Sequence, residues 1–341
     1  MKLTDFDFVL PPELIAQKPA EKRDESSLLL PSAKGSRIVK FYQIIDQLSP
    51  GDLLVFNDSR VVNAQLELQK DSKAINVNLN KPVSKNTWLG FAKPGKKLKI
   101  GDEFEFGEHK IRINNKLESG DVEFEFILKD IGIFNFLDIY GQVPLPQYIK
   151  REGQSEEDLE RYQTVYSKEK GSVAAATAGL HFTQELIEKI KQKGVETAFV
   201  TLHVGAGTFL PVKTEDISKH KMHSEWCQIS EKVADKINDA KKSGRRVIVV
   251  GTTAMRTIES CAEGGVIVPK VMETNIFITP GYKFQIADML LTNFHLPKST
   301  LFMLVCAFAG YTEMHDLYEF AISKKMRFFS YGDAMLLSKK S

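Results

Sequence analysis

Apolar positions along the chain follow two regimes. Between Val62 and Tyr148 they alternate with polar ones over short runs, Thr87 to Ala92, Glu103 to Phe106, Lys110 to Ile113 and Val122 to Leu128. Pro94-Gly95, Gly101-Asp102, Gly107, Asn114-Asn115 and Gly120-Asp121 separate them. A period of two between turn signals predicts half-buried strands, and strands at this spacing predict a barrel or sandwich. The turn-like stretch from Gly141 to Ile149 leads out, because its two prolines cannot sit in a central strand.

Outside that stretch, continuous apolar runs replace the alternation. Leu53 to Phe56, Val195 to Val204 and Arg246 to Val250 have the Val/Ile-rich look of strands buried on both faces of a parallel sheet. A helix is predicted from Gln184 to Lys193, N-capped by Thr183 and closed by Gly194, and a mixed helical stretch from Ser230 to Lys242. The pattern is βαβ. The expected fold class is α/β, a layered α/β/α main domain (residues 1–61 together with 149–341) interrupted by an inserted β-barrel-like domain (residues 62–148).

Composition narrows the function classes. The 341 residues are 43% hydrophobic and 26% charged, ordinary for a globular chain and unlike a disordered or membrane-embedded one. With 46 Lys+Arg against 44 Asp+Glu, a nucleic-acid partner has to be held by local patches. Lys93 to Lys99, Lys219 to His223 and Lys241 to Arg246 are the candidates. Cys227, Cys261 and Cys306 lack C-x-x-C spacing, which suits a reducing compartment better than a disulfide framework or thiolate zinc site. The longest apolar run, Leu301 to Ala309, is too short for a bilayer, and the N-terminus lacks signal-peptide features. A cytoplasmic location and no membrane contact are expected.

Small and polar residues cluster after each buried-looking strand. Asn57-Asp58-Ser59-Arg60 could grip a ribose, carboxylate or phosphate, or form an ordinary turn. Residues 173–183 carry Thr177 and His181 among alanines, with the histidine a possible general base or acid. His203 ends a strand and is followed by Gly205, Gly207 and Thr208, without the glycine pattern of a dinucleotide fold or a P-loop. His220, His223 and Glu225 could supply metal ligands, although the spacing is not that of a zincin helix. Thr253 and Arg256 lie where a strand meets a helix start, a favourable place for an anion. The alternative for Arg256 is an ion pair with Glu259. Asn293 and His295 precede the Leu301 to Ala309 helix, and Arg327, Tyr331 and Asp333 mix a cation, an aromatic and an acid near the C-terminus.

Taken together, LPPELIAQKPAEKRD, LLVFNDSRVV, ERYQTVY, TAGLHFT, TLHVGAGTF, GTTAMRT, TNIFITPGY, LLTNFHLPKSTL and RFFSYGDAM resemble one family in order and spacing, over nearly the whole chain. It is the S-adenosylmethionine:tRNA ribosyltransferase-isomerases of queuosine biosynthesis. The chain departs from the family's usual wording at Ser27, Gln65 and Leu210, where arginines are common, and at Ala176, where proline is common.

The resemblance implies transfer and isomerisation of the ribosyl part of S-adenosylmethionine onto the aminomethyl-deazaguanine base at the tRNA wobble position, giving epoxyqueuosine-tRNA, adenine and methionine. S-adenosylmethionine is then a co-substrate, with no permanently bound cofactor and no metal, and tRNA carrying that base is the partner. On this view His203 or His181 acts as general base or acid, and Asp58 holds ribose hydroxyls or shuttles a proton. Arg256 grips the methionyl carboxylate, with Asn57, Arg60, Thr177 and Thr253 as further polar contacts. Gly205, Gly207 and Thr208 provide backbone and hydroxyl contacts. Asn293, His295, Arg327, Tyr331 and Asp333 close the other side. The competing readings are a histidine-ligated metallohydrolase, an RNA methyltransferase, for which the glycine-rich first turn is missing, and a non-catalytic RNA-binding protein.

Overall fold

The computed structural model describes residues 1–32, 34–146, 148–149, 156–205, 207, 212 and 214–340, with backbone alone at 156, 157 and 159. Among the described residues, nine strands form the main sheet in the spatial order Lys270–Thr274, Glu225–Ile229, Glu196–Leu202, Leu53–Asn57, Val247–Val250, Met289–Asn293, Ala334–Ser338, Ser27–Leu30 and Arg37–Lys40. From Glu196–Leu202 to Met289–Asn293 the four central strands run parallel. Their carboxyl ends therefore share one edge.

On either side of those four the direction reverses, although Ser27–Leu30 and Ala334–Ser338 pair in parallel with each other. Glu225–Ile229 runs antiparallel to Glu196–Leu202, with Leu202 opposite Cys227, and Ala334–Ser338 runs antiparallel to Met289–Asn293. A strand thus interrupts the plain βαβ unit expected between Val195 and Val250. Only five residues long and alternately buried, Glu225–Ile229 lacks the continuous apolar run that marks the central strands.

Alternate residues of the central strands enter different cores, which is why these runs are apolar throughout. Leu53, Val55, Val247 and Val249 pack with the helices Glu231–Lys242, Thr252–Ser260, Thr300–Ala309 and Tyr311–Ser323. Leu54, Phe56, Ile248 and Val250 pack with the helix Gln184–Gln192 and the 3-10 turns Phe41–Gln47 and Thr177–His181. The layers are α/β/α. Thr183 caps Gln184–Gln192 by accepting from Leu186 N at 3.1 Å, and Gly194, at φ +84°, takes the left-handed conformation that stops it.

The second sheet is antiparallel throughout, in the order Gln65–Lys70, Lys73–Ser84, Thr87–Lys93, Val122–Ile127, His109–Lys116 and Glu103–Phe106. Leu66, Ile75, Val77, Trp88, Ile111 and Phe124 build a core of its own, covered by the helix Ile133–Tyr140. Lys70 is ion-paired with Asp102 across the gap between the outer strands, so the sheet is nearly closed and barrel-like. The linking segments Ser59–Val61 and Glu169–Ser172 lie side by side as a parallel pair. Gln65–Lys70, Lys73–Ser84 and the two helices Ile133–Tyr140 and Tyr311–Ser323 go beyond the elements expected from the pattern. Asn76, Asn78 and Asn80 weaken the strand signal of the alternating Ile75, Val77 and Leu79.

Candidate active site

At the carboxyl edge of the parallel strands lies a cavity of about 470 Å³. Its floor is poor in side chain, with Ala174, Ala175 and Ala178 on one wall and Gly251 opening the helix Thr252–Ser260 on another. Gly251 sits at φ +89°, a conformation that disfavours any other residue, and its N–H donates to Leu291 O at 2.8 Å. Tyr148, Tyr162 and Phe329 supply aromatic surface. Phe329 is held at φ +76°, an outlier for a bulky residue, by bonds on both sides: its N–H donates to Phe294 O and its carbonyl accepts from Asn293 Nδ2.

Five of the residues expected at the site line this cavity: Thr177, Thr253, Arg256, Asn293 and His295. Arg256 pairs with Glu225 rather than Glu259, both partners being almost fully buried. Glu259 instead accepts from Tyr282 Oη, Gln285 N and Ile286 N at 2.9 to 3.2 Å. Among the described residues, Arg256 Nη2, Thr253 Oγ1 and Asn293 Oδ1 are buried without a hydrogen-bond partner. Three such polar atoms on residues of one cavity offer hydrogen-bonding groups to a ligand. His295 Nε2 lies 3.1 Å from Thr292 Oγ1, and burial pushes the imidazole down to about 3.

The remaining expected residues fall elsewhere. His181 is enclosed behind the cavity wall, between Ser26 and Asn293, stacked on Phe41 at 4.8 Å. Burial foremost, then Arg327, pushes it down to about 3. Arg327 and Tyr331 stand with His181 around a small second cavity, and Asp333 accepts from Ser27 N and Arg327 N. His203 lines a separate open cleft of about 840 Å³ together with Lys85, Asn86, Phe134, Lys170 and Gly171. Its ring stacks on Trp226 at 4.8 Å, and burial lowers it to about 4.

Asn57 ties two strands together, accepting from Leu202 N and Ser59 N and donating to Leu202 O. Asp58 accepts from Thr201 Oγ1 at 2.7 Å, and burial raises its carboxyl. Arg60 is exposed. Gly205 and Gly207 are tightly packed: a Cβ would stand 2.8 Å from Asn80 Oδ1 and 2.6 Å from His223 Cδ2, respectively. Thr208, like Leu210, lies outside the described residues.

The basic stretch from Lys241 to Arg246 is engaged at the opposite end of the sheet, where Lys241, Arg245 and Arg246 pair with Asp288, Glu196 and Asp52. Sequence reasoning missed Tyr148 and Tyr162 as cavity residues, singled out the segment of Phe329 and Ser330 without naming these two as contacts, and considered Glu225 only as a metal ligand. Among the described residues no three His, Cys, Asp or Glu side chains group as metal ligands would, and no helix is long and apolar enough to cross a membrane.

A family model described as "Queuosine biosynthesis protein" matches residues 3–337. The chain is 59% identical to the S-adenosylmethionine:tRNA ribosyltransferase-isomerase of Rickettsia bellii (strain OSU 85-389) over the full length of both. It is 54% identical to that of Rickettsia felis, again with both chains covered completely. The crystal structure of S-adenosylmethionine tRNA ribosyltransferase from Thermotoga maritima superposes with a TM-score of 0.56 at 35% identity, covering 97% of this chain and 99% of that one. Sequence motifs, fold and full-length similarity agree, and the chain belongs to the queuosine biosynthesis family of S-adenosylmethionine:tRNA ribosyltransferase-isomerases.

Proposed function

We propose that the chain transfers and isomerises the ribosyl moiety of S-adenosylmethionine onto the aminomethyl-deazaguanine base at the tRNA wobble position, yielding epoxyqueuosine-tRNA, adenine and methionine. The observation that carries this reading is the cavity itself, where a buried guanidinium with an unpartnered N–H, a helix start and aromatic walls converge in a chain of this family. Arg256 and the amides opening Thr252–Ser260 suit a methionyl carboxylate. Tyr148, Tyr162 and Phe329 suit a purine ring.

The sulfonium acidifies the neighbouring ribose C–H and departs as the neutral thioether of methionine. The protein's residues have to take up a proton, orient the ribose and exclude water. A base must be neutral before it acts, and burial keeps His181, His203 and His295 neutral at pH 7. His295 lines the cavity, His181 reaches it through Asn293, and His203 adjoins Val204 of its wall. We assign base and acid among these three, with Asp58 as the carboxylate that holds ribose hydroxyls or shuttles a proton.

The target base is drawn out of its RNA stack into the cavity, at a cost of roughly a few kcal/mol. The anticodon arm approaches along the His203 cleft, where Lys85 meets the phosphates. Residues 62–148 form the inserted domain and residues 1–61 with 149–341 the catalytic one, a division supported by the separate apolar core of the antiparallel sheet. The enzyme works in the cytoplasm, with S-adenosylmethionine as a co-substrate and without a metal.

The test is incubation with S-adenosylmethionine and tRNA carrying the aminomethyl-deazaguanine base, with adenine, methionine and S-adenosylhomocysteine quantified together. Adenine and methionine are expected to rise in step and only with that base. S-adenosylhomocysteine alone would replace ribosyl transfer with methyl transfer, and no turnover would overturn the enzyme reading.

A further inference from the structure

We propose that Glu225 is a positioning residue, which holds Arg256 as the carboxylate grip of the cavity and locks it to the glycine turn after His203. The inference rests on the reading above that Arg256 meets the methionyl carboxylate.

Glu225 opens the strand Glu225–Ile229, 31 residues before Arg256, and the two side chains are only 4% and 6% exposed. Oε2 takes Arg256 Nη1, while Oε1 accepts from the backbone N–H of Gly205 at 3.0 Å. Gly205 follows Val204, a wall residue of the same cavity. One buried carboxylate thereby joins three elements: the antiparallel strand Glu225–Ile229, the helix Thr252–Ser260 and the turn after Glu196–Leu202.

The consequence follows from the shape of guanidinium. It is a planar fork, so an ion pair that fixes Nη1 also fixes the direction of Nη2. Nη2 is the nitrogen without a partner among the described residues. A buried arginine whose fork is half satisfied by protein is preorganised for one incoming acceptor, with no side-chain freedom left to lose when that acceptor binds. Glu259, one helical turn away, is withdrawn from competition by Tyr282, Gln285 and Ile286. Among the described residues, Arg256 therefore has a single carboxylate fixing its aim, drawn from a strand distant in sequence.

The experiment compares Glu225→Gln and Glu225→Ala with the parent chain in calorimetric binding of S-adenosylmethionine and of 5′-methylthioadenosine, which carries the same nucleoside without the amino acid. Kinetic constants are measured alongside. Glu225→Gln keeps an acceptor for Gly205 N and loses the charge pair. It is expected to weaken S-adenosylmethionine about tenfold, as a rise in KM larger than any fall in kcat, and to leave 5′-methylthioadenosine unchanged. Glu225→Ala should weaken S-adenosylmethionine further. Equal weakening of both ligands would make Glu225 a purely structural residue, and unchanged affinity for S-adenosylmethionine would also overturn the proposal. If Arg256→Ala leaves S-adenosylmethionine affinity intact, the underlying assignment of Arg256 fails instead. Circular dichroism and urea midpoints on each variant identify misfolding, and an unfolded Glu225→Ala leaves Glu225→Gln to decide.

Discussion

Asn293 and His181, 112 positions apart, meet with Asn293 Nδ2 3.3 Å from His181 Nε2. The same Asn293 nitrogen donates to Phe329 O at 3.0 Å, and a carbonyl can only accept, so the amide orientation is set. Nε2 is then the acceptor, and the ring proton sits on Nδ1, 2.7 Å from Ser26 Oγ. A buried imidazole in this tautomer braces the cavity wall from behind and resists a second proton, in line with its lowered pKa.

Stability should therefore fall in mild acid. The unfolded imidazole protonates near 6.5, whereas folded His181 does so only at about 3, so between these values the unfolded state binds more protons. The contribution is complete above 6.5 and is lost on acidification, at about 1.4 kcal/mol per pH unit for each such group. His295, at about 3, and His203, at about 4, act in the same direction. Urea midpoints from pH 7 to pH 5 should decline less steeply in His181→Gln than in the parent chain; identical slopes would show that folding does not hold His181 neutral.

Arg256 carries two burdens that substitution separates. Arg256→Lys keeps the charge but loses the fork, and should raise KM for S-adenosylmethionine about tenfold, corresponding to a charge-assisted bond of about 1.5 kcal/mol. Arg256→Ala also removes the cation paired with the buried Glu225 carboxylate and should cost about 3–5 kcal/mol of stability. A midpoint unchanged in Arg256→Ala would show that the pair contributes nothing to the fold.

Asn57 joins the central strands, and its removal should register in stability. Asn57→Ala leaves Leu202 N and Leu202 O short of partners in a buried setting, at an expected cost of about 2–3 kcal/mol. Denaturant unfolding would show a lower midpoint with an unchanged m-value. A change confined to KM would restore Asn57 to the substrate contacts.

Gly171 is shaped by His203. It sits at φ +149°, and an added Cβ would stand 2.7 Å from His203 Nε2. Gly171→Ala should displace the imidazole from Trp226, at about 1–3 kcal/mol, and alter tryptophan emission. Emission is best compared in a Trp88→Phe background, since Trp88 is the second tryptophan. Unaltered emission would mean that the ring is not held where the contact requires.

Much of the fold was legible because local rules wrote it. The apolar runs LLVF and RVIVV mark strands buried on both faces, and they pack into two cores. Thr183 and Gly194 bound a helix by side-chain capping and left-handed backbone, both properties of single residues. The strands Gln65–Lys70 and Lys73–Ser84 were illegible where asparagines dilute the β signal, and Ile133–Tyr140 where aromatic and β-branched residues favour strand yet the chain forms a helix. Tertiary packing over the antiparallel sheet overrides local preference there.

By itself, the sequence determined that strands end in polar clusters and that those clusters carry the family's motifs. A strand's carboxyl end and a helix's first turn are local features, and in a parallel sheet such ends gather at one edge. Tertiary structure alone decided which cluster residues share a cavity. It brought Arg256 to Glu225 instead of Glu259, set His181 behind Asn293, and turned His203 into a neighbouring cleft. Each of these depends on strand order and register. Those are set by the free energy of packing the whole chain, which no spacing along a single segment encodes.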